Sequence, residues 1–201
     1  MKYLIGAFVI AVSLSGTAHA DSTTTGSCQY SFNPAQAHLT WTAYKTTAKL
    51  PVSGEFKNFV FRGPFTGTDV PTLLNSLNVD VALDSVSTGN AFRDGNLVDG
   101  FFKAVLSFNA HGRIAHATSD SFDLALRLNS RSIYVPMTYE INDSSGFQAK
   151  GTLNMADFAL GDALSKLDGS CHDYHAGADG ISKVWMGVDL TVTVPVTKIC
   201  N

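Results

Sequence analysis

The sequence predicts an all-β domain, antiparallel, with one or two short helices. Apolar residues recur at every second position in several segments, turn residues punctuate those segments, and helix-period patterns are scarce. The first alternating run places Leu39 and Trp41 against Thr40 and Thr42. Phenylalanines bunch next, at Phe56, Phe59, Phe61 and Phe65, ahead of the turn signals Arg62-Gly63-Pro64 and Gly67 to Asp69. A first helical segment is expected near Pro71 to Asn75, followed by a strand carrying Val79, Val81 and Leu83 and a helical turn after Asp94. Phe122, Leu124, Leu126 and Leu128 then alternate with Asp123, Ala125, Arg127 and Asn129, and Ile133, Val135, Met137, Tyr139 and Ile141 repeat the pattern. Asn142 to Gly146 reads as the turn of a hairpin. Ala159, Leu160, Ala163, Leu164 and Leu167 keep helical spacing within Asp157 to Leu167. The last run, Val188 to Val196, is interrupted at Pro195, which lacks a ladder donor and marks a bulge or a strand edge. Many short antiparallel strands in one domain form a closed barrel or a sandwich, and this pattern alone does not choose between them.

The chain begins as an exported protein does. Lys2 supplies the positive start, Leu4 to Leu14 is mostly apolar, and Thr17-Ala18-His19-Ala20 ends in a small-x-small pattern, so residues 1–20 read as a cleavable signal peptide. The apolar run falls short of the roughly 20 residues that span a bilayer. Residues 21–201 then suffice for one domain, with the Ser/Thr-rich start Asp21 to Ser27 expected to lack order. The formal net charge is −3 and the basic residues are scattered, which gives no surface for tracking nucleic-acid phosphates. Export also permits disulfides among Cys28, Cys171 and Cys200. If the sheet closes on itself, the first and last strands become neighbours, which favours Cys28 with Cys200 and leaves Cys171 free; pairings of Cys171 with either partner remain open.

The stretch DSVSTGNAFRDGNLVDGFF, Asp84 to Phe102, resembles the YceI-like family of bacterial periplasmic lipid-binding proteins. Three other strings fall in the family's order: Trp41 to Phe56, Arg131 to Ile141 and Phe147 to Leu160. The resemblance covers nearly all of residues 21–201 and implies a lipocalin-like antiparallel barrel enclosing a long apolar channel. It implies a periplasmic location, a hydrophobic ligand such as a polyisoprenoid, a quinone-like lipid or a fatty-acid amide, and storage or transport as the task. Related proteins are often dimers, and such a cargo entails transient contact with membranes.

Thirteen phenylalanines, one of them Phe8 in the leader, would by periodicity alone be core fillers; it is the resemblance that implies a cavity. The apolar phase of each strand and the neighbouring helical segments nominate Trp41, Phe59, Val81, Phe101, Phe102, Leu124, Leu126, Val135, Met137, Met155, Phe158 and Leu190 as its lining. Arg93 has two readings: a cavity-mouth cation holding a ligand headgroup, or a structural partner of Asp94, itself the cap of the following helical turn, the second being favoured. Lys45 and Lys49 flank a Thr-rich turn and read as solvated.

Gly169 to Gly177 gathers Cys171, His172, Asp173 and His175, which invites a metal or redox reading of a periplasmic protein. Two neighbouring soft ligands do not make a closed site, and the favoured reading is a loop thiol beside surface histidines. His38, His111 and His116 read as strand or surface residues. No G-x-S-x-G elbow, phosphate loop or Cys/His/Asn signature is present, so no catalytic residue, metal or cofactor is expected. A barrel-based isoprenoid-modifying or stress-related enzyme is the remaining alternative.

Overall fold

A computed structural model describes residues 27–142 and 146–201. The expected signal peptide, nearly all of the Ser/Thr-rich start and the tip of the 142–146 turn lie outside the described residues. Thirteen strands follow in order: β1 (Cys28–Phe32), β2 (His38–Lys45), β3 (Leu50–Phe56), β4 (Phe59–Arg62), β5 (Thr66–Gly67), β6 (Asn78–Ala82), β7 (Val86–Ser87), β8 (Asn109–Ala115), β9 (Ser121–Leu128), β10 (Arg131–Asn142), β11 (Gly146–Asn154), β12 (Gly187–Val194) and β13 (Val196–Cys200). Four α-helices among the described residues are short: α1 (Val70–Asn75), α2 (Ala91–Asn96), α3 (Gly161–Ser170) and α4 (His172–His175).

Ten strands form one curled antiparallel sheet in the order β4-β6-β8-β9-β10-β11-β12-β2-β3-β7. Its two edges meet at a single corner, because β4 continues β3 and β7 continues β6. There Ala82 N–H donates to Asn58 O (3.0 Å), Lys57 N–H donates to Ser85 O (3.1 Å), and Asn58 N–H donates to the Ser85 hydroxyl (3.0 Å). With each bent pair taken as one strand, about eight strands surround the axis, a size whose interior holds side chains or one slender ligand.

The remaining strands form a separate sheet, β13-β1-β5. Cys28 pairs across from Cys200 and the two form a disulfide, with Cα atoms 4.0 Å apart and a separation of 172 in sequence. The expected pairing is therefore present, but its cause differs from the expected one. The terminal strands do not seal the barrel; they make a small sheet across one end of it, where Phe32 of β1 meets Phe147 of β11 edge-on at 5.6 Å. Pro195 stands at the hand-over, since β12 pairs in the large sheet and β13 in the small one. Beneath lies α1, which buries Val70, Leu73 and Leu74 and is capped by the Asp69 carboxylate accepting from Thr72 N–H.

Helices cover the opposite end. The expected helix from Asp157 to Leu167 is split: a 3-10 turn, Met155–Phe158, ends at Ala159 in a left-handed conformation (φ 55°), and α3 begins only at Gly161. The segment after Asn90 is longer than one turn, because α2 runs on through a π turn, Leu97–Phe101, into a 3-10 turn, Phe102–Ala104.

Candidate functional site

The inward phase of the strands leaves apolar space inside the sheet in three adjoining parts that share wall residues. A central chamber of about 170 Å³ is walled by β2, β6, β8, β9 and β12 and roofed by Phe101, Phe102, Leu164 and Leu167 from the helical cover. A blind end of about 80 Å³, wholly apolar, lies toward the small sheet among Phe32, Phe61, Phe65, Leu74, Leu77 and Met137. A mouth of about 280 Å³ opens between α2 and α4. Leu39, Val79, Gly112, Leu124 and Leu190 line both the chamber and the blind end and so form a waist. Trp41, Ala43, Leu97, Leu167 and Val184 line both the chamber and the mouth.

Two glycines shape this space. A methyl group on Gly112 would sit 2.8 Å from Val79 Cγ1 and 2.9 Å from Leu124 Cδ1, so a larger residue would obstruct the waist. A methyl group on Gly54 would sit 2.6 Å from Trp41 Cζ2; the missing side chain lets the indole lie across β3, directly opposite Gly54 in the ladder.

The helical cover is built by local polar contacts. Asn90 caps α2, its side-chain oxygen accepting from Arg93 N–H (3.0 Å), and Asp94 reaches back to accept from both Thr88 N–H (2.8 Å) and the Thr88 hydroxyl (2.6 Å). Asp94 is thus a clasp on the preceding loop and not the cap of a following turn, because Asn90 already fills the capping position. Arg93 makes no ion pair among the described residues and lines the mouth, so the favoured reading of it as Asp94's partner is corrected.

The mouth holds Lys45 and Arg93 and no carboxylate. Several of its polar groups are already engaged: Lys45 Nζ donates to Tyr174 O (2.7 Å), Tyr44 hydroxyl donates to Asp189 (2.5 Å), and His175 Nδ1 pairs with Asp168 (2.9 Å). Lys49 stands over the rings of Tyr44 and Trp185. Phe92 and Tyr174, both more than 60% exposed, meet across the opening with ring centroids 5.9 Å apart and planes tilted by 60°. Trp41 is 92% buried, and its indole N–H has no hydrogen-bond partner among the described residues.

Of the residues nominated from sequence, Trp41, Val81, Phe101, Phe102, Leu124, Leu126, Met155 and Leu190 line the chamber, Met137 the blind end and Arg93 the mouth. Phe59, Val135 and Phe158 are packed into the wall: Phe59 meets Phe61 edge-on at 5.7 Å, and Val135 and Phe158 belong to the buried core. The sequence reading missed Val79, Gly112, Leu164, Leu167, Val184 and Trp185 as wall residues. Gly112, a lone glycine within a strand pattern, was the one with a readable signal.

Cys171 is buried and free, and burial pushes its thiol pKa up, opposed by a hydrogen bond from Asn96. His172 is exposed beside Asp173, and no group of three metal-ligating side chains occurs among the described residues. Of the outlying histidines, His111 pairs with Asp80 and His116 with Asp123 on the outer surface. No helix among the described residues is long and apolar enough to cross a membrane.

A YceI-like domain model matches residues 30–197. Two solved structures share the fold. A polyisoprenoid binding domain from Saccharophagus degradans, implicated in plant cell wall breakdown, aligns with a TM-score of 0.58 at 14% identity, over 82% of this chain and 95% of its own. BcnA of Burkholderia cenocepacia aligns at 0.53 and 16% identity, over 83% and 99%. No curated protein sequence matches the chain.

Proposed function

This chain belongs to the YceI-like family, and on that premise we propose that it is an exported, periplasmic carrier that sequesters one long-chain amphiphile in its barrel. The chain of the ligand lies through chamber and waist, and its polar end rests at the mouth near Arg93. The observation that carries this reading is a row of apolar cavities inside the sheet that share wall residues and end at a mouth carrying polar groups, an arrangement that suits a slender molecule with a single head. Each methylene withdrawn from water adds about 0.8 kcal/mol, so a chain of isoprenoid or fatty-acyl type binds tightly with few polar contacts. Candidate wall contacts are Trp41, Val81, Phe101, Phe102, Leu124, Leu126, Met155 and Leu190, with Met137 further in. The thiol nearest the mouth, Cys171, is buried, and burial raises its pKa, which disfavours the nucleophilic thiolate. Binding without transformation is therefore the activity proposed, and storage or transfer the use. The signal-like pattern of residues 1–20 and a disulfide between Cys28 and Cys200 support an oxidising compartment.

Solvent extraction of the protein purified from its exporting host, followed by mass spectrometry, tests this directly. A long-chain amphiphile in near-stoichiometric amount is expected. A protein that yields no such molecule, and takes up none when delipidated and offered one, would overturn the reading.

A further inference from the structure

Basic residues scattered along the sequence are gathered by the sheet. Three of the five arginines, Arg62, Arg113 and Arg127, line one groove of about 520 Å³ on the outer face of β4, β6, β8, β9 and β10. Arg113 stands opposite Ala125 in the ladder, and Arg127, two positions along β9, stands opposite His111. Arg113 and Arg127 are therefore diagonal neighbours, about 7–8 Å apart at their bases, and the small Ala125 keeps the floor beside them low. Asp80 is the only carboxylate lining the groove among the described residues, and it already holds both Arg62 and His111. Further along β9, Asp123 is engaged by His116. Arg113 and Arg127 have no ion pair among the described residues.

We propose that this face docks an acidic segment of a protein partner, its carboxylates held by the forked guanidiniums of Arg113 and Arg127. The formal charge of the whole chain is −3, so the arginine surplus is local, and an acidic partner is steered to this face and repelled by the rest. Two exposed apolar side chains favour a protein over an anionic polysaccharide: Val60, opposite Asp80, is 53% exposed, and Tyr134, opposite Ala125, is 54% exposed. Tyrosine beside arginine is the usual anchor composition of protein interfaces, and a polysaccharide brings no aliphatic side chain to cover Val60. Five strands spaced by about 4.8 Å make the face roughly 19 Å wide, the reach of about six extended residues. The groove lies on the opposite side of the strands from the apolar space, so the inference is independent of what the barrel holds.

A labelled octapeptide of alternating glutamate and leucine, followed by fluorescence anisotropy with the disulfide-bonded protein, tests this. Binding is expected at low salt and should weaken as salt rises. Arg113→Gln combined with Arg127→Gln should weaken it by about tenfold or more, and Tyr134→Ser by about threefold. Lys103→Gln combined with Lys166→Gln makes the same change in net charge at exposed positions of the helical cover and should alter binding by less than about twofold. Octagalacturonate, with twice the carboxylates and no aliphatic side chain, should bind more weakly than the peptide. An equal loss from the lysine pair, tighter binding of octagalacturonate, or no peptide binding at low salt would overturn the inference. So would a dimer in sedimentation velocity that the paired arginine substitutions dissolve, because the occupant would then be a second copy of this chain.

Discussion

Gly112 narrows the wall shared by the chamber and the blind end, and so would govern how deep a bound chain reaches. In an alternating strand this position points inward, between Ala110 and Ile114, and its missing side chain leaves room where the chamber and the blind end share a wall. Gly112→Val is expected to cost about 1–3 kcal/mol of stability through overpacking against Val79 and Leu124. It should also exclude ligand chain from the blind end. Losing burial of a few methylenes at about 0.8 kcal/mol each predicts a tenfold or greater fall in affinity for chains that cross the waist. Chains short enough to remain in the chamber keep their affinity. A chain-length series measured on the folded variant checks this, and a uniform loss at all lengths would contradict it.

The terminal strands and the helical cover carry different duties. At the cover, the string from Asp84 to Phe102 encodes its own scaffold: Asn90 caps, Thr88 and Asp94 clasp, and the π turn brings Phe101 and Phe102 successively over the chamber. Those contacts are short-range, which is why the string is recognisable without coordinates. At the other end, β1 and β13 form a small sheet held by five paired positions and one disulfide. Closing a loop of that length removes denatured-state freedom equivalent to about 5 kcal/mol in the chain-entropy model, an upper value where the reduced chain retains structure. Replacing both Cys28 and Cys200 with Ser is expected to lower stability by about 2–5 kcal/mol, read from urea unfolding of oxidised and reduced protein. Because Phe32 and Phe65 of this end line the blind cavity, bound long chains should offset part of the loss.

Across the barrel, carboxylates tie neighbouring segments together, and this makes the fold acid-sensitive. Asp189 on β12 accepts from Thr152 on β11 (2.6 Å) and from Tyr44 on β2 (2.5 Å), and the hydrogen bond from Thr152 first, then that from Tyr44, holds its pKa below the ordinary carboxylate value. Asp69, through Thr72, and Asp179, through Thr47, are lowered in the same direction. A carboxylate with a depressed folded pKa stabilises above its unfolded pKa, and that contribution is lost as pH falls through the folded value. The urea midpoint should therefore hold between neutral pH and about pH 5 and fall below about pH 4. Asp189→Asn should reduce the pH dependence, and an unchanged acid limb would contradict this account.

Alternation along the chain was enough to mark several strands, their inward phase and part of the chamber wall, because the two-residue period of a strand assigns each side chain to a face before any partner is known. Turn residues likewise marked the approach to α1, whereas the cap of the cover was assigned to Asp94 and belongs to Asn90. Other features arise only when distant segments meet. Whether an inward side chain touches empty space, as Leu126 does, or is packed into the wall, as Val135 and Phe158 are, depends on how far opposite strands stand apart. Arg93 became a mouth residue because Asn90 took the cap and Asp94 turned back to Thr88. The terminal strands built a separate sheet because β3 and β6 each bend and continue, bringing the edges of the large sheet together without them. Period and propensity act within a few residues, whereas voids, unpaired donors and sheet closure are properties of surfaces far apart in sequence.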